Sequence, residues 1–322
     1  MSGESTQIVH NGGGWILNIG NAFIDLGSMH SLKQASDDVD IHLSSVFGRW
    51  MSHHIESGIS NRLLNRYPDV QNAYDIRRSF DADYVIQAGA CLSEHWFKTY
   101  GQSLVNGKEG GADIIIYGAG ASENNYSEEA ITKTRDWLKQ LEPYAFISRD
   151  QQSYEAFADI AEHSYNGIDC GFFVADAFDP APFDEDEYVA VNFDKKPEPE
   201  INTVDKKIAR THHSFLFNFA LHKYPKMIKE YYGQENTLVS DVPDDYLNVY
   251  ANAESTVSDR VHACVATYAF GNPARLVHET KRASLFERIG IDSISEEFVE
   301  PDLDRLQEEK KEQIDFMSEI LE

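Results

Sequence analysis

Cysteine is scarce in this chain. Cys91, Cys170 and Cys264 stand far apart, form no CxxC pair and are odd in number, which excludes a disulfide framework. Each falls in or beside an apolar stretch, so a buried free thiol is expected at all three. Basic residues are scarce too: 28 Lys and Arg against 54 Asp and Glu give a formal net charge of −26. Nothing there forms a basic surface able to displace counterions from phosphates, so nucleic acid and anionic membrane are excluded as partners. No apolar run approaches the roughly 18 residues of a membrane span. The start, MSGESTQIVHNGGG, has neither a basic opening nor an apolar core, so it is not read as a secretory signal and a cytoplasmic protein is expected, reaching a membrane only through its substrate. Metal-ligand spacing is also missing. His53-His54 and His212-His213 are adjacent pairs with no Cys, Asp or Glu at ligand spacing, so no metal site is expected. The acidic residues are spread along the chain. This fits a very salty cytoplasm, where screening lengths shrink to about 3 Å at 1 M salt; a melting temperature that rises with KCl is the expected mark.

What is present suits an α/β protein. The 322 residues suffice for two domains, and 42% are hydrophobic. Asn11 to Gly14 reads as a loop, Trp15 to Leu17 as a short strand, and Asn18-Ile19-Gly20-Asn21 leads into a helix through Phe23, Ile24, Leu26 and Met29. Helical pieces are expected over Leu43 to Ser57 and Ile59 to Asn65. Tyr84 to Ile86 starts a strand that turns at Gly89, and Asp113 to Tyr117 is the clearest strand of this half, closed by Gly118-Ala119-Gly120-Ala121. A continuous apolar run of that length suits a central parallel strand, and ligands of open α/β sheets gather at its C-terminal edge. The glycines do not match the dinucleotide fingerprint. A helix over Glu128 to Leu141 leads to the strand Tyr144 to Ser148, which ends in Arg149-Asp150, with Ser153 opening the next helix. Locally, Arg149 serves equally well as a surface arginine paired with Asp150 or as an anion ligand.

Cys170 to Ala175 reads as a buried strand, Tyr188 to Phe193 as another, and Asp194 to Asn202 as a solvated loop. A long helix is expected from Val204 or Ser214 to Tyr232, then a strand Thr237 to Ser240 and a helix Asp244 to Ala251. The most informative stretch is Ala253 to His278: strand, loop, helix from about Asp259 to Phe270, a Gly271-Asn272-Pro273 stop, and a strand at Ala274 to Val277. Ser258 or Asp259 can cap that helix, while Val261, Cys264, Val265 and Tyr268 face the sheet. Arg260 and His262 flank the buried stripe in the first turn, where free N–H groups and a partial positive charge favour an anion. Without chemistry, Arg260 would pair with a surface carboxylate and His262 would be a satisfied helix-end histidine. In the last forty residues, Leu303, Leu306, Ile314, Met317 and Ile320 recur at helical spacing, giving an amphipathic C-terminal helix that packs back.

SDRVHACVATYAFGNPARLVH, with Lys281 shortly after it, resembles the Arg-x-His-(helix)-Gly-x-Pro signature of the polysaccharide pyruvyl transferases. Asn18, Gly20 and Asn21 resemble that family's Asn-x-Gly-Asn/Asp segment. Gly118 and Gly120 match its Gly-x-Gly, although the proline that often follows is absent and an earlier glycine-rich turn is reduced to Gln87-Ala88-Gly89-Ala90. Arg149, Asp150 and Ser153 match an Arg-Asp-x-x-Ser motif, and Asp176 to Pro180 resembles its Asp-x-x-Phe segment. The resemblance implies two Rossmann-like domains facing a cleft, GT-B-like, with boundaries at 1–165, 166–295 and a terminal helix over 296–322. It implies transfer of the enolpyruvyl group of phosphoenolpyruvate onto a saccharide acceptor, lipid-linked or free, with no further cofactor. By carry-over, Arg149, Arg260, Ser258 and Lys281 would bind the donor, with Arg149 and Arg260 meeting across the cleft, and His262 would be the acid, for the first step or for the departing phosphate. Asn18, Gly20, Asn21, Gly89, Gly118, Gly120 and Asp176 would line the acceptor side. Trp15, Trp96 and Tyr126 are candidates for stacking on sugars, although core packing is the commoner use. The alternatives are a GT-B glycosyltransferase using a nucleotide sugar and a non-catalytic carbohydrate-binding relative.

Overall fold

In the computed structural model, residues 5–15, 18–46, 75–121, 126–183, 187–201, 206–213, 233–238, 240–277 and 280–322 are described. Residues 47–57 of the helix expected over Leu43 to Ser57, the helix expected over Ile59 to Asn65, residues 214–232 of the expected long helix and the His53-His54 pair lie outside them. The chain divides into two compact units. One comprises Met1–Gly14, Leu32–Gly167 and Ile314–Glu322; the other comprises Trp15–Ser31 and Ile168–Gln313.

The first unit is a six-stranded parallel sheet in the order β2-β1-β3-β4-β5-β6. Its strands are β1 (Thr6–Gly12), β2 (Val39–Ser45), β3 (Tyr84–Ala88), β4 (Asp113–Ala119), β5 (Ala145–Ser148) and β6 (His163–Asn166). The clearest sequence strand is a central one: Ile114, Ile115, Ile116 and Tyr117 are buried on both faces, as a parallel strand covered by helices must be. β2, at the edge, alternates between exposed and covered positions. The first strand is Thr6–Gly12; Ile16 and Leu17 of the strand expected at Trp15 to Leu17 lie outside the described residues. β1 buries His10 and Asn11, and those two polar residues made its second half look like a loop. β2 also replaces the start of the helix expected from Leu43. Helix α1 (Gly20–Ala35), whose residues up to Ser31 belong to the other unit, has the expected place in the chain. It is followed by α2 (Glu94–Tyr100), α3 (Gln102–Glu109), α4 (Glu128–Leu141) and α5 (Gln151–Phe157). Ser127 caps α4 by accepting the Ala130 N–H, and the capping residue of α5 is Asp150, placing Ser153 inside the helix. The core of this unit joins Val85, Trp96, Phe97, Ile114, Ile116, Phe146 and Phe157.

The second unit is a four-stranded parallel sheet in the order β10-β9-β7-β8. Its strands are β7 (Tyr188–Asn192), β8 (Lys207–Thr211), β9 (Ser255–Ser258) and β10 (Ala274–Leu276). β8 stands where a helix beginning at Val204 was one expectation. Its Lys-Ile-Ala-Arg-Thr sequence is too polar to show as a buried run; it pairs with β7 along its length and carries a single bridge on its other side, from Arg210 to Thr237. The apolar run Cys170 to Ala175 is not a strand but a tight 3-10 turn, Cys170–Phe173, running into the short helix α6 (Val174–Ala177). A short apolar run does not by itself distinguish the two; here Asp169 decides, accepting the Gly171 N–H and closing the turn. Then come α7 (Pro243–Asn252), α8 (Val261–Ala269) and α9 (Leu303–Leu321). Every residue of α8 is buried. It is apolar around nearly its whole circumference, which suits a helix enclosed by its own fold.

Candidate functional site

In an open parallel sheet, ligands bind beyond the C-terminal ends of strands where the strand order reverses. In the second unit the chain passes from β7 outward to β8, then returns to β9 on the other side of β7. The loops leaving β7 and β9 therefore diverge at that point. They hold Asp194 and Arg260. Arg260 Nε donates to Asp194 Oδ2 at 2.8 Å, His213 N donates to the same oxygen at 2.9 Å, and His212 Nδ1 lies 3.0 Å from Oδ1. Asp194 is almost wholly buried. Burial opposes its charge, yet Arg260 and His212 hold its carboxyl down at about 2, so it is an anion at any ordinary pH. Burial pushes neighbouring His213 down to about 3, and its Nε2 lies 2.6 Å from Tyr250 Oη. The loop is tied by Asp259, whose carboxylate accepts the N–H groups of Asp194, Lys195 and Lys196 at 3.1, 2.7 and 2.8 Å.

That use of Asp259 corrects the expected cap. With Asp259 committed to the loop and Ser258 Oγ accepting the Arg260 N–H at 2.8 Å, the capping position falls to Arg260, and no side chain caps α8. Arg260 has extended backbone, φ −111° and ψ 113°. Its side chain can therefore reach forward while His262, in the first helical turn, takes another direction. His262 Nε2 lies 3.4 Å from Asp169 Oδ2, and Asp169 is fully buried.

The Asn18 to Asn21 segment joins this cluster from near the other end of the sequence. Ile19 N donates to the His213 carbonyl at 2.9 Å, and Asn18 Nδ2 donates to Asn21 Oδ1 at 3.1 Å. A Cβ on Gly20 would lie 3.0 Å from His262 Cβ and 3.1 Å from its Nδ1, so the start of α1 abuts the imidazole. Asn18, Gly20, Asn21, Ser258, Arg260 and His262 are thus gathered in one unit. Asp176 is placed elsewhere, accepting from Lys310 Nζ of α9 at 2.6 Å. Lys281 opens a 3-10 stretch, Lys281–Ile289, and its side chain lies outside the described residues.

In the first unit the ends of β3, β4 and β5 form a second cluster. Gly120 N donates to the Gly89 carbonyl, Leu92 N to the Gly120 carbonyl, and Arg149 N to the Ala119 carbonyl at 3.0 Å. Gly89 and Gly118 have φ +84° and +54°, where a side chain strains the backbone. Gly120 is required by contact: a Cβ there would come within 2.6 Å of Arg149 Nε and 2.7 Å of Asp150 Oδ2. Arg149 is not the surface residue of one sequence alternative but is 2% exposed. Asp150 caps α5 through the Ser153 N–H at 2.7 Å and accepts from Tyr126 Oη at 3.1 Å. Tyr126 serves this loop, and Trp96 packs in the core against Phe97. The three cysteines are free and buried, as expected. Among the described residues no group of three metal-type ligands converges.

Asp169, Asp194 and His212 were missed in the sequence. Asp194 opened a charged, Pro-containing loop and gave no signal. His212 was considered only as a metal ligand. Asp169 did have one, since Asp169 and Phe172 stand at the Asp-x-x-Phe spacing, which Asp176 and Phe178 do not.

Two parallel α/β units in one chain define a GT-B-like fold, and solved structures share it. A putative UDP-N-acetylglucosamine 2-epimerase from Listeria monocytogenes has a TM-score of 0.53 at 10% identity, covering 98% of this chain and 90% of that one. The UDP-GlcNAc 2-epimerase of Neisseria meningitidis, bound to UDP-GlcNAc, has a TM-score of 0.52 at 10% identity, covering 98% and 94%. No curated protein sequence matches the chain. Within that fold class, residues 18–277 match the polysaccharide pyruvyl transferase family, and the chain belongs to it. The match spans both clusters, from Asn18 to the end of β10. No helix among the described residues is long and apolar enough to cross a membrane.

Proposed function

We propose that this protein transfers the enolpyruvyl group of phosphoenolpyruvate to two hydroxyls of a saccharide, forming a pyruvate ketal and releasing phosphate. The observation that carries the reading is the Asp194–Arg260 pair at the strand-order reversal, beside His262, in a chain of the pyruvyl transferase family. Phosphoenolpyruvate carries a carboxylate and a phosphate, both suited to an arginine fork. Arg260 and, in the first unit, Arg149 are assigned to donor binding, with Ser258 and Lys281. Asn18, Asn21 and the glycines at 20, 89, 118 and 120 are assigned to substrate-facing loops.

The reaction adds a proton to the methylene carbon, making the central carbon electrophilic. A sugar hydroxyl attacks that carbon and loses its proton. The bond from the central carbon to the phosphate oxygen then breaks, phosphate leaves with a proton, and the second hydroxyl closes the ketal as it loses its own. His262 is the acid of the first step. No metal is required by this scheme. The alternative is a nucleotide-sugar donor, the class of ligand bound by the Neisseria meningitidis neighbour of the same fold. The test is phosphate release from phosphoenolpyruvate across a panel of glycans. Turnover is expected in the wild type, and a loss of about 10²–10⁴-fold in His262→Ala with donor binding retained. Turnover with nucleotide sugars alone would overturn the reading, and normal turnover in His262→Ala would remove His262 from the chemistry.

A further inference from the structure

We propose that Asp169 is the positioning residue for His262, fixing its Nε2–H tautomer so that Nδ1, beside Gly20, is the nitrogen that exchanges protons with the substrate. The inference rests on His262 being the acid of the proposed reaction. Its geometric basis is independent of the donor.

Three observations carry it. His262 Nε2 faces Asp169 Oδ2 at 3.4 Å, while Asp169 Oδ1 is held by the Gly171 N–H at 2.7 Å. A carboxylate fixed in that way accepts from the imidazole, so the proton of the neutral ring sits on Nε2. The opposite nitrogen faces the start of α1, which glycine alone lets approach so closely: a Cβ at position 20 would lie 3.1 Å from Nδ1. The arrangement is also rigid. A Cβ on Gly27 would come within 1.9 Å of the Cys170 carbonyl oxygen, and one on Gly171 within 2.8 Å of Asp169 Oδ1, 3.2 Å of Val265 Cγ1 and 3.5 Å of His262 Cδ2. Glycines at 20, 27 and 171 thus bring α1, the Asp169 turn and α8 to close contact around one imidazole. A base oriented by a third group held elsewhere is a recurrent catalytic arrangement.

The proton count closes. Cationic His262 donates its Nδ1 proton to the methylene carbon and becomes the neutral Nε2–H form. Nδ1 then accepts a proton from the attacking hydroxyl, and the ring returns to its starting state, with Nε2–H kept on Asp169 throughout.

The test is ¹⁵N NMR of the imidazole nitrogens in the full-length protein, at a pH about two units above the ordinary histidine value of about 6.5. The signal of His262 among the 12 histidines is assigned by its loss in His262→Gln. Wild type is expected to show Nε2 protonated. Asp169→Asn can keep the Gly171 contact through its oxygen while its amide donates to Nε2, which transfers the ring proton to Nδ1. That variant should invert the tautomer, lower kcat for phosphate release on the order of 10²–10⁴-fold and leave phosphoenolpyruvate affinity unchanged. Gly20→Ala should lower kcat with the tautomer unchanged. A wild-type ring protonated on Nδ1, or Asp169→Asn with tautomer and turnover both unaltered, overturns the proposal. The tautomer is read without any substrate, so absence of pyruvyl transfer in the wild type would count against the proposed function and leave the assignment of Asp169 to be decided by the spectrum.

Discussion

His10 and His213 show what burial does to a single side chain. His10 lies inside β1 and burial pushes it down to about 4; His213, beside Asp194, is pushed down to about 3 by the same cause. Both folded values lie below the ordinary 6.5, so each ring is neutral when folded and takes up a proton on unfolding in acid. The stability this contributes is fully present above 6.5. It is lost as pH falls, toward about 4 for His10 and about 3 for His213. Below pH 6.5 the unfolding free energy should therefore fall by about 1.4 kcal/mol per pH unit for each ring. Urea unfolding between pH 7 and pH 5 measures the slope, and His10→Asn should flatten it. A stability that holds level over that interval in the wild type would contradict the assignment of neutral buried rings. Asp194 acts in the opposite sense of charge but the same sense of pH: its depressed carboxyl contributes stability above the ordinary carboxylate range, lost only toward pH 2.

Among the elements, α1 and α8 are the pair whose close fit depends on glycine. Gly27 lies in the middle of α1, where glycine costs about 1 kcal/mol against alanine in an exposed helix. Here the sign reverses, because a Cβ would meet the Cys170 carbonyl oxygen at 1.9 Å, and that backbone is held by the Asp169 turn. Gly27→Ala is expected to destabilise by about 1–3 kcal/mol, read as a lower urea midpoint. An increase in stability would mean that the seam yields. The elements also show what the sequence discloses. α4, α7, α8 and strands β3, β4, β5, β7 and β9 were legible because each has an apolar run or helical periodicity bounded by a cap or turn residue. β1, β6 and β8 were not, since polar residues such as His10, Asn11, His163 and Arg210 occupy them for reasons set by distant partners. The Cys170 turn failed the other way: its apolar run is real, but the backbone follows the Asp169 side chain. Arg260, His262, Arg149 and the glycine loops stood out by motif. Asp194 and Asp169 did not, because their importance lies in contacts 66 and 93 residues away.

Across the whole molecule, two parallel sheets each end in a loop cluster with a buried or half-buried arginine, within a chain whose net charge is −26. Against such a background Arg260 is held in place by the buried Asp194 carboxylate, to which its Nε donates at 2.8 Å. α9 is fastened at its middle by charges that are themselves covered: Lys310, with its side chain 3% exposed, bonds to Asp176, and Glu309 accepts from Arg288 at 2.6 Å. Burial lowers Lys310 below the usual lysine value while Asp176, its side chain 34% exposed, counters it. The central proposal is that the donor is phosphoenolpyruvate, with Arg260 and Arg149 each assigned to donor binding. Calorimetric titration in high KCl, with phosphoenolpyruvate and separately with nucleotide sugars, tests it most directly. Saturable binding of phosphoenolpyruvate that is abolished in Arg260→Ala and in Arg149→Ala is the predicted result, and binding of a nucleotide sugar with none of phosphoenolpyruvate would contradict it.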